Sequence, residues 1–299
     1  MEVVTNLSVE VSYKKQFLLG VLLLLVIIVA IEGIVRAYDY FNPNCMFIGS
    51  EVFQDVDFEL KRAICHANDD IIWSDQPFLH LLPNQHLPTV NINSDGFRGT
   101  EITKEKSENV YRIFVVGGST TFGVGTTSDL TTIPGFLQKK FHDTNLNFKV
   151  EVINAGIPNA NSNHEYQMIN DKLVQYQPDL IIMYDGVNDS QKEGPSIDET
   201  VQNWKSVCKL GNEKGFETII ILQPGPGTGN RVLTDQEIFY MDAAGDVSPD
   251  LVKFDLYAER LVDLNEDCTK TADFRGIFDY IQRPIFFDNW HSGSLGNQI

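Results

Sequence analysis

Two blocks of the sequence carry residue types that together can activate a hydroxyl group. Ser119 follows two glycines, and Asp288 stands three residues before His291. A serine becomes a strong nucleophile when a histidine accepts its proton, and a carboxylate beside that histidine fixes its tautomer and stabilises its charged form. We therefore take Ser119 as the candidate nucleophile, His291 as its base and Asp288 as the partner of the base.

Acyl transfer by a serine also needs hydrogen-bond donors for the developing oxyanion. Gly156 and Asn188 stand in two further blocks, Asn-Ala-Gly and Gly-Val-Asn-Asp. The backbone N–H groups of Ser119 and Gly156 and the side-chain amide of Asn188 could all donate to one oxygen atom. Losing one donor of this kind typically lowers the rate about 10²–10³-fold, so we expect Asn188 to be important for activity.

The loop around Ser119 does not match three other common loop motifs. Val124 stands where a P-loop requires lysine, and Ser128 stands where the dinucleotide fingerprint requires its third glycine. Thr121 replaces the last glycine of the α/β-hydrolase elbow. What remains is a serine presented at a tight, glycine-flanked turn.

Each block taken alone has a simpler interpretation. A Gly-Gly-Ser sequence is often only a turn, Gly156 can simply allow one, and Asn188-Asp189 can cap a helix. Asp288 and His291 could be a surface pair or, together with Asp189, part of a metal-dependent phosphoesterase site. The nucleophile interpretation is favoured because the four blocks occur in order, each after a predicted strand.

Apolar, β-branched runs predict the strands of a parallel sheet that is covered on both faces. They span 111–116, 149–153, 179–184 and 217–222, and a short run at 284–287 is the candidate fifth strand. Active residues gather at the carboxyl ends of such strands. Since each block directly follows one of these runs, the sheet would bring all four blocks to one edge.

Helical patterns separate the predicted strands. An apolar face recurs over 163–176, a capping box at Ser196 opens a helix that ends at Gly215, and Ser248-Pro249 opens another helix. Alternating strands and helices predict an α/β doubly wound domain with right-handed crossovers.

Together the blocks resemble those of the SGNH (GDSL-like) hydrolase superfamily, and residues 93–99 resemble the lead-in of its membrane-anchored members. The matching residues are Gly118-Ser119, Gly156, Gly186-x-Asn188-Asp189 and Asp288-x-x-His291. The resemblance runs from about residue 91 to the C-terminus. It implies a flavodoxin-like three-layer α/β/α sandwich with a parallel sheet.

The same resemblance implies roles for the individual residues. Ser119 would be the nucleophile, with His291 as base and Asp288 as its partner. Gly156 and Asn188 would join the Ser119 amide in the oxyanion hole. The first block departs from the family in one respect, because it reads Gly-Gly-Ser where many members have Gly-Asp-Ser.

An apolar run near the N-terminus, uncharged from Phe17 to Ile31 and interrupted by Glu32, predicts a membrane anchor. Residues 17–35 provide about the ~17–25 residues needed to cross a bilayer, and Lys14 and Lys15 before them place the N-terminus in the cytoplasm. A cleaved signal peptide is the alternative, although the small residues of a cleavage site are poorly placed after the run. Both interpretations put the rest of the chain outside the cytoplasm.

These features divide the chain into four predicted parts. They are a cytoplasmic N-terminus over 1–16, a transmembrane signal-anchor over 17–35, a stalk and irregular lead-in over 36–109, and the hydrolase domain over 110–299. Members of the resembling family usually close with a helix after a Gly-Asn step such as Gly296-Asn297. Because the sequence stops at Ile299, we expect a C-terminally shortened domain.

Composition limits the partners and the compartment. A net charge of -18 and a pI near 4.6 exclude nucleic acid as a partner, since phosphate would be repelled at most faces. Four cysteines in an oxidising compartment permit two disulfides. We predict Cys45–Cys65 and Cys208–Cys268, with core thiols as the alternative for the second pair. No Cys-x-x-Cys spacing typical of zinc occurs, and we expect no cofactor or metal.

The leading functional hypothesis is a serine-dependent ester hydrolase that forms an acyl-enzyme on Ser119. Its outward-facing position favours acyl esters, above all O-acetyl esters, of glycans or other envelope molecules as substrates. An O-acyltransferase with the same triad is the first alternative. A catalytically silent glycan-binding or assembly protein of the same fold and a metal-dependent phosphoesterase are the others.

Overall fold

The computed structural model of this chain describes residues 12–42, 45–76 and 79–299. It contains two compact units, Met1–Cys45 and Met46–Ile299. The greater part of the predicted cytoplasmic segment 1–16 lies outside the described residues.

Within its described residues, the first unit contains one long helix. α1 spans Tyr13–Phe41, and none of its residues is buried within the protein. At 1.5 Å per residue, its 29 residues exceed the ~30 Å hydrocarbon core of a bilayer, and its apolar run has a mean hydropathy of 3.1. By length and composition α1 can therefore cross a membrane, and the predicted span 17–35 lies inside it. Near its C-terminal end Glu32 and Arg36 form an ion pair of 2.7 Å, one turn apart.

The second unit combines a lead-in segment with an α/β domain. Its helices are α2 (Phe58–Asp70), α3 (Ser119–Phe122), α4 (Ile133–His142), α5 (Ser162–Asp171), α6 (Val187–Ser190), α7 (Ile197–Lys214), α8 (Asp235–Ala243), α9 (Ser248–Arg260) and α10 (Ser294–Gln298). Its strands are β1 (Trp73–Gln76), β2 (Leu79–Leu81), β3 (Gln85–His86), β4 (Asn91–Ile92), β5 (Val110–Gly117), β6 (Lys149–Gly156), β7 (Leu180–Asp185), β8 (Glu217–Leu222) and β9 (Lys270–Asp273).

The main sheet has five parallel strands in the spatial order β6-β5-β7-β8-β9. Numbered along the chain this order is 2-1-3-4-5, which is the flavodoxin-like order of doubly wound folds. The predicted fold class is therefore confirmed. Two small antiparallel pairs, β1 with β2 and β3 with β4, lie in the lead-in segment.

Side chains of β5 alternate between two helical layers, as expected for a strand covered on both faces. Phe114 and Val116 belong to the main core, which also contains residues of α5, α7 and α9. Ile113 and Val115 point to the other face, where they pack with α4. The largest buried side chain, Trp204 of α7, donates from its indole N–H to the Asp185 carboxylate at the end of β7, at 2.7 Å.

The predicted fifth strand at 284–287 is wrong, because the fifth strand is β9. Residues 284–287 are apolar, but the backbone N–H groups of Ile285 and Phe286 donate to the carboxylate of Glu237 instead of to a neighbouring strand. The polar sequence of β9 hides its strand character, since β9 lies at the edge of the sheet and pairs on one side only.

The segment that we predicted to be irregular contains regular structure. α2 begins after Asp57, whose carboxylate accepts the backbone N–H of Leu60, and it buries Ile64 and Ala67. In contrast, the helix predicted from the capping box of Ser196 is present as α7, and its last turn ends at Gly215 in the left-handed conformation.

The predicted Cys208–Cys268 disulfide is present, and it joins α7 to the segment before β9. Both cysteines are buried in the main core, where they form a disulfide and are not the core thiols of the alternative. The described residues contain no free cysteine. The pairing of Cys45 with Cys65 remains a prediction.

Candidate active site

Ser119 stands at a sharp turn between β5 and α3. β5 ends at Gly117, and α3 begins at Ser119 itself. A Cβ atom on Gly118 would lie 2.1 Å from the Asn188 amide nitrogen, far inside van der Waals contact. The second glycine of the block is therefore required because the Asn188 side chain occupies the space beside it.

Ser119, His291 and Asp288 form a continuous series of hydrogen bonds. His291 Nε2 lies 2.7 Å from Ser119 Oγ, and His291 Nδ1 lies 2.6 Å from Asp288 Oδ2. The other carboxylate oxygen of Asp288 accepts the backbone N–H groups of Trp290 and His291 at 2.8 and 2.6 Å. With Nδ1 protonated toward Asp288, Nε2 is free to accept the serine proton.

The pKa of the Asp288 carboxyl is lowered from its ordinary value. Burial opposes ionisation, but hydrogen bonds from the His291 ring and from the two backbone N–H groups outweigh it, together with the charge of the imidazole. The carboxylate is thus held in the ionised form that stabilises a protonated histidine.

Aromatic packing fixes the plane of the imidazole. Phe287 stacks on the His291 ring with centroids 5.7 Å apart and an angle of 12° between the planes. Phe287 in turn contacts Phe47 and Phe53 of the lead-in segment, at centroid distances of 5.2 and 5.3 Å. The lead-in segment therefore supports the base through one intervening ring.

A buried ion pair holds the chain that leads into Asp288. Glu237 of α8 is 1% exposed and accepts the N–H groups of Ile285 and Phe286 at 2.9 and 3.0 Å. Arg231 donates to the same carboxylate at 2.9 Å. Although burial alone would raise it, the pKa of Glu237 is lowered by the Arg231 hydrogen bond and by the backbone donors.

Asn188 reaches the site from the turn after β7. Gly186 takes φ = +125° there, a conformation that favours glycine, and a Cβ at this position would lie 2.8 Å from Leu222. The Asn188 amide donates one hydrogen to the carbonyl of Ala160 at 2.6 Å. Since an amide nitrogen carries two hydrogens, this bond orients the group and leaves the second hydrogen for another acceptor.

The structure does not support the predicted role of Gly156, and the role must be corrected. Gly156 is the last residue of β6, and its N–H donates to the side-chain oxygen of Asn154 at 3.0 Å. The amide that we expected in the oxyanion hole is therefore already hydrogen-bonded. Gly156 is glycine for a steric reason, because a Cβ would lie 2.2 Å from the backbone nitrogen of Phe122.

Asn159 presents the free backbone N–H in this region. It adopts φ = +65° in a turn closed by a hydrogen bond from Ala160 N–H to Ile157 carbonyl, and no described residue accepts its N–H. Sequence reasoning missed it. The signal was available, because proline followed by asparagine, here Pro158-Asn159, is typical of a type II turn whose third residue is left-handed.

Buried acids lie beneath the Asn188 turn. The Asp189 carboxylate accepts the N–H and hydroxyl of Ser162 and the hydroxyl of Thr200, so the structure does not bring it together with Asp288 and His291. Burial and the charge of neighbouring carboxyl groups raise the pKa of Glu165 and of Asp185 well above ordinary values. Both oxygens of the Glu165 side chain are buried and lack a hydrogen-bond partner among the described residues.

A parallel α/β sheet with a serine, a histidine and an aspartate hydrogen-bonded in series at its carboxyl edge defines a serine ester hydrolase. The model of the GDSL-like Lipase/Acylhydrolase family matches residues 115–290. The chain belongs to this family. No curated protein has significant sequence similarity to it.

Three solved structures illustrate its similarity in fold. An acetyl xylan esterase shares 17% identity over 62% of this chain and 94% of its own, with a TM-score of 0.47. A lipolytic protein of the G-D-S-L family from Desulfitobacterium hafniense shares 15% identity over 62% and 93%, with a TM-score of 0.46. A lipase/acylhydrolase from Enterococcus faecalis shares 17% identity over 63% and 90%, with a TM-score of 0.45.

The lowered pKa of Asp288 predicts how Asp288→Asn changes stability with pH. A carboxyl whose pKa is lower in the folded than in the unfolded state stabilises the fold above the unfolded value, about 3.9. That contribution disappears as the pH falls through the folded value. We expect the Tm difference between wild type and Asp288→Asn to be largest above about pH 5 and to shrink toward pH 3. Circular dichroism melts of the full chain in detergent measure it, and a constant difference would contradict the prediction.

Proposed function

We propose that the chain hydrolyses acyl esters through a covalent acyl-enzyme on Ser119. The observation that carries this proposal is the hydrogen-bonded series Asp288–His291–Ser119, which joins residues 172 positions apart in the sequence. Such a series between distant loops at the edge of a parallel sheet has the geometry that nucleophile activation requires.

The reaction would proceed in two steps. Ser119 Oγ attacks the ester carbonyl carbon while His291 Nε2 accepts its proton, and Asp288 stabilises the imidazolium. The tetrahedral intermediate collapses, the C–O bond to the alcohol breaks, and His291 returns the proton to the leaving oxygen. Water then attacks the acyl-enzyme with His291 again as base, which releases the acid and regenerates the serine.

Three donors would stabilise the oxyanion in both steps. They are the backbone N–H of Ser119, the side-chain amide of Asn188 and the backbone N–H of Asn159, which takes the place first assigned to Gly156. Support comes from contacts around Gly118: a Cβ there would touch both the Asn188 amide and the Ala160 carbonyl, so the Asn159–Ala160 turn adjoins the nucleophile.

The proposed substrates are O-acetyl esters of glycans or other envelope molecules outside the cytoplasm. The length and apolar composition of α1 support a signal-anchor over 17–35. On this proposal the hydrolase domain from residue 110 lies on the outer side. The Cys208–Cys268 disulfide supports the same location, since disulfides persist in oxidising compartments.

Covalent labelling tests the nucleophile. A fluorophosphonate probe should label the full-length protein in detergent but not Ser119→Ala, because the probe phosphorus bonds to the activated serine oxygen. His291→Ala should react about 10²–10⁴-fold more slowly, which is the usual contribution of a general base. Ser206→Ala, a serine of α7 outside the site, is the control and should label like wild type. Labelling that persists in Ser119→Ala would overturn the proposal.

Substitutions at Asn159 test the proposed oxyanion donor. The left-handed conformation costs a residue with a Cβ about 1–2 kcal/mol, and a β-branched residue tolerates it least. Asn159→Val should therefore move the amide and lower kcat for p-nitrophenyl acetate by up to about 10²–10³-fold, far more than Asn159→Gly. Gln177→Val is the matched control, because Gln177 is also left-handed, with φ = +53°, but lies outside the site. Equal kcat values for the two Asn159 variants would refute the assignment.

The proposed anchor predicts how the chain partitions. Expressed at full length in bacteria, it should stay with the membranes after an alkaline wash. Less of the Ile27→Arg variant should stay with the washed membranes, since an arginine at the centre of a membrane helix costs about 2.5–3.5 kcal/mol. Tyr13→Arg adds the same charge beside Lys14 at the end of α1 and should leave the partition unchanged. Recovery of the wild type in the soluble fraction would contradict anchoring.

A further inference from the structure

A cavity of about 230 Å³ adjoins the turn that presents the Asn159 amide. Asn159 lines one side of it, and residues 122–126, which follow the nucleophile turn, line a second. The lead-in segment closes it with side chains of α2 and β1, among them Asn68 and Trp73. The cavity thus lies between the proposed oxyanion hole and a part of the chain that precedes the family match at 115–290.

The free polar groups around this cavity are neutral. Asn68 and Asn159 are exposed and carry side-chain amides, and the buried Thr89 has a hydroxyl without a hydrogen-bond partner. Arg98 is the one charged side chain among the described lining residues, and its guanidinium already donates to a carboxylate, a hydroxyl and three backbone carbonyls. A phosphate or carboxylate group would therefore find no uncommitted cation there, whereas a neutral polar ligand would find partners.

Trp73 gives the cavity an aromatic face. Its side chain is 45% exposed, while Trp204 and Trp290 are buried. An exposed indole offers an apolar face and a single N–H donor, which suits ligands that are themselves part apolar and part polar. Sugar rings have this character, because the C–H groups of one face stack on an aromatic ring while hydroxyl groups bind to amides.

Most residues that line the cavity are apolar, among them Ile64, Ile71 and Val124, but its size and the unpaired hydroxyl of Thr89 favour one sugar ring over an acyl chain. Pockets for drug-sized ligands measure roughly 300–1,000 Å³, so about 230 Å³ suits a single ring. An acyl chain would leave the buried Thr89 hydroxyl without a hydrogen bond, which is unfavourable.

We propose that this cavity is a subsite for one sugar ring of an O-acetylated saccharide. Trp73 would be the stacking platform, and Asn68 and Asn159 would bind the hydroxyl groups. This inference rests on the proposed esterase function and deepens it, because it places the sugar next to the carbonyl group that the oxyanion donors hold.

Substrate selectivity tests the subsite. The quantity to measure is the ratio of kcat/KM for methyl 6-O-acetyl-glucoside, which keeps three free hydroxyl groups, to kcat/KM for p-nitrophenyl acetate, with the full chain in detergent. Trp73→Ala should lower this ratio about tenfold, chiefly through KM, because only the glucoside stacks on the ring. Trp73→Tyr should recover most of it. Phe148→Ala is the matched control, because Phe148 is 46% exposed and stands at the amino end of β6, whereas Asn159 follows the carboxyl end of the same strand. This variant should keep the wild-type ratio.

Direct binding provides a second, independent measurement. In Ser119→Ala, the same glucoside should protect tryptophan fluorescence from quenching by acrylamide, because Trp73 is the exposed tryptophan. Trp73→Phe should abolish that protection.

Each outcome leads to a definite conclusion. A wild-type ratio in Trp73→Ala, or no protection from quenching, overturns the subsite while the esterase function stands. p-Nitrophenyl esters of longer acids are measured beside the acetate. If Trp73→Ala lowers kcat/KM for these longer esters alone, the cavity binds the acyl group, and the sugar subsite is overturned. If the wild type hydrolyses neither ester, the proposed function fails, and the quenching experiment still decides whether a sugar occupies the cavity.

Discussion

The hydrogen bond between Ser119 Oγ and His291 Nε2 requires the two atoms to lie 2.7 Å apart, although the two residues are 172 positions apart in the sequence. The parallel sheet fixes the position of one of the two residues, because Ser119 follows β5 directly at the carboxyl end of this strand. The loop of His291 does not follow a strand of the sheet and has no such constraint. Its position depends instead on the Glu237 carboxylate, which binds the chain before Asp288, and on the ring of Phe287. A buried ion pair and aromatic packing thus position the proposed base, as strand pairing positions the proposed nucleophile.

The oxyanion side relies on contacts among three turns that meet at Gly118. The Asn188 amide binds the Ala160 carbonyl, and Asp189, one residue further, binds the N–H and hydroxyl of Ser162. A buried carboxylate is costly unless donors surround it, so these bonds fix the relative position of the Asn188 and Asn159 turns. Burial and the neighbouring Asp185 and Asp189 raise the pKa of the Glu165 carboxyl below them, which favours its uncharged form. The proposed oxyanion donors are therefore held in place without a substrate, as electrostatic stabilisation of a transition state requires.

Local patterns were sufficient to predict most of the sheet. The four long strands are buried on both faces, so their residues are almost uniformly apolar and easy to recognise. The fifth strand could not be identified in this way, because β9 is a polar edge strand and the apolar run at 284–287 uses its N–H groups elsewhere. Ser119, His291 and Asp288 could be chosen because each follows a predicted strand or an apolar run. Gly156 could not be tested from the sequence, since only the structure shows its N–H bound to Asn154.

The lead-in segment was the part least accessible to sequence reasoning, because its contacts join residues distant in sequence. Phe47 and Phe53 pack on Phe287, and Arg98 binds the carbonyls of Phe122 and Gly123 just after the nucleophile. A segment bound so closely to both the base and the nucleophile turn is part of the site's construction. The matched family region contains Ser119 and Asp288 and ends one residue before His291, and the same fold serves many substrates. We therefore expect differences in specificity to come from what surrounds that region, and in this chain the lead-in segment forms one wall of the cavity that Asn159 also lines.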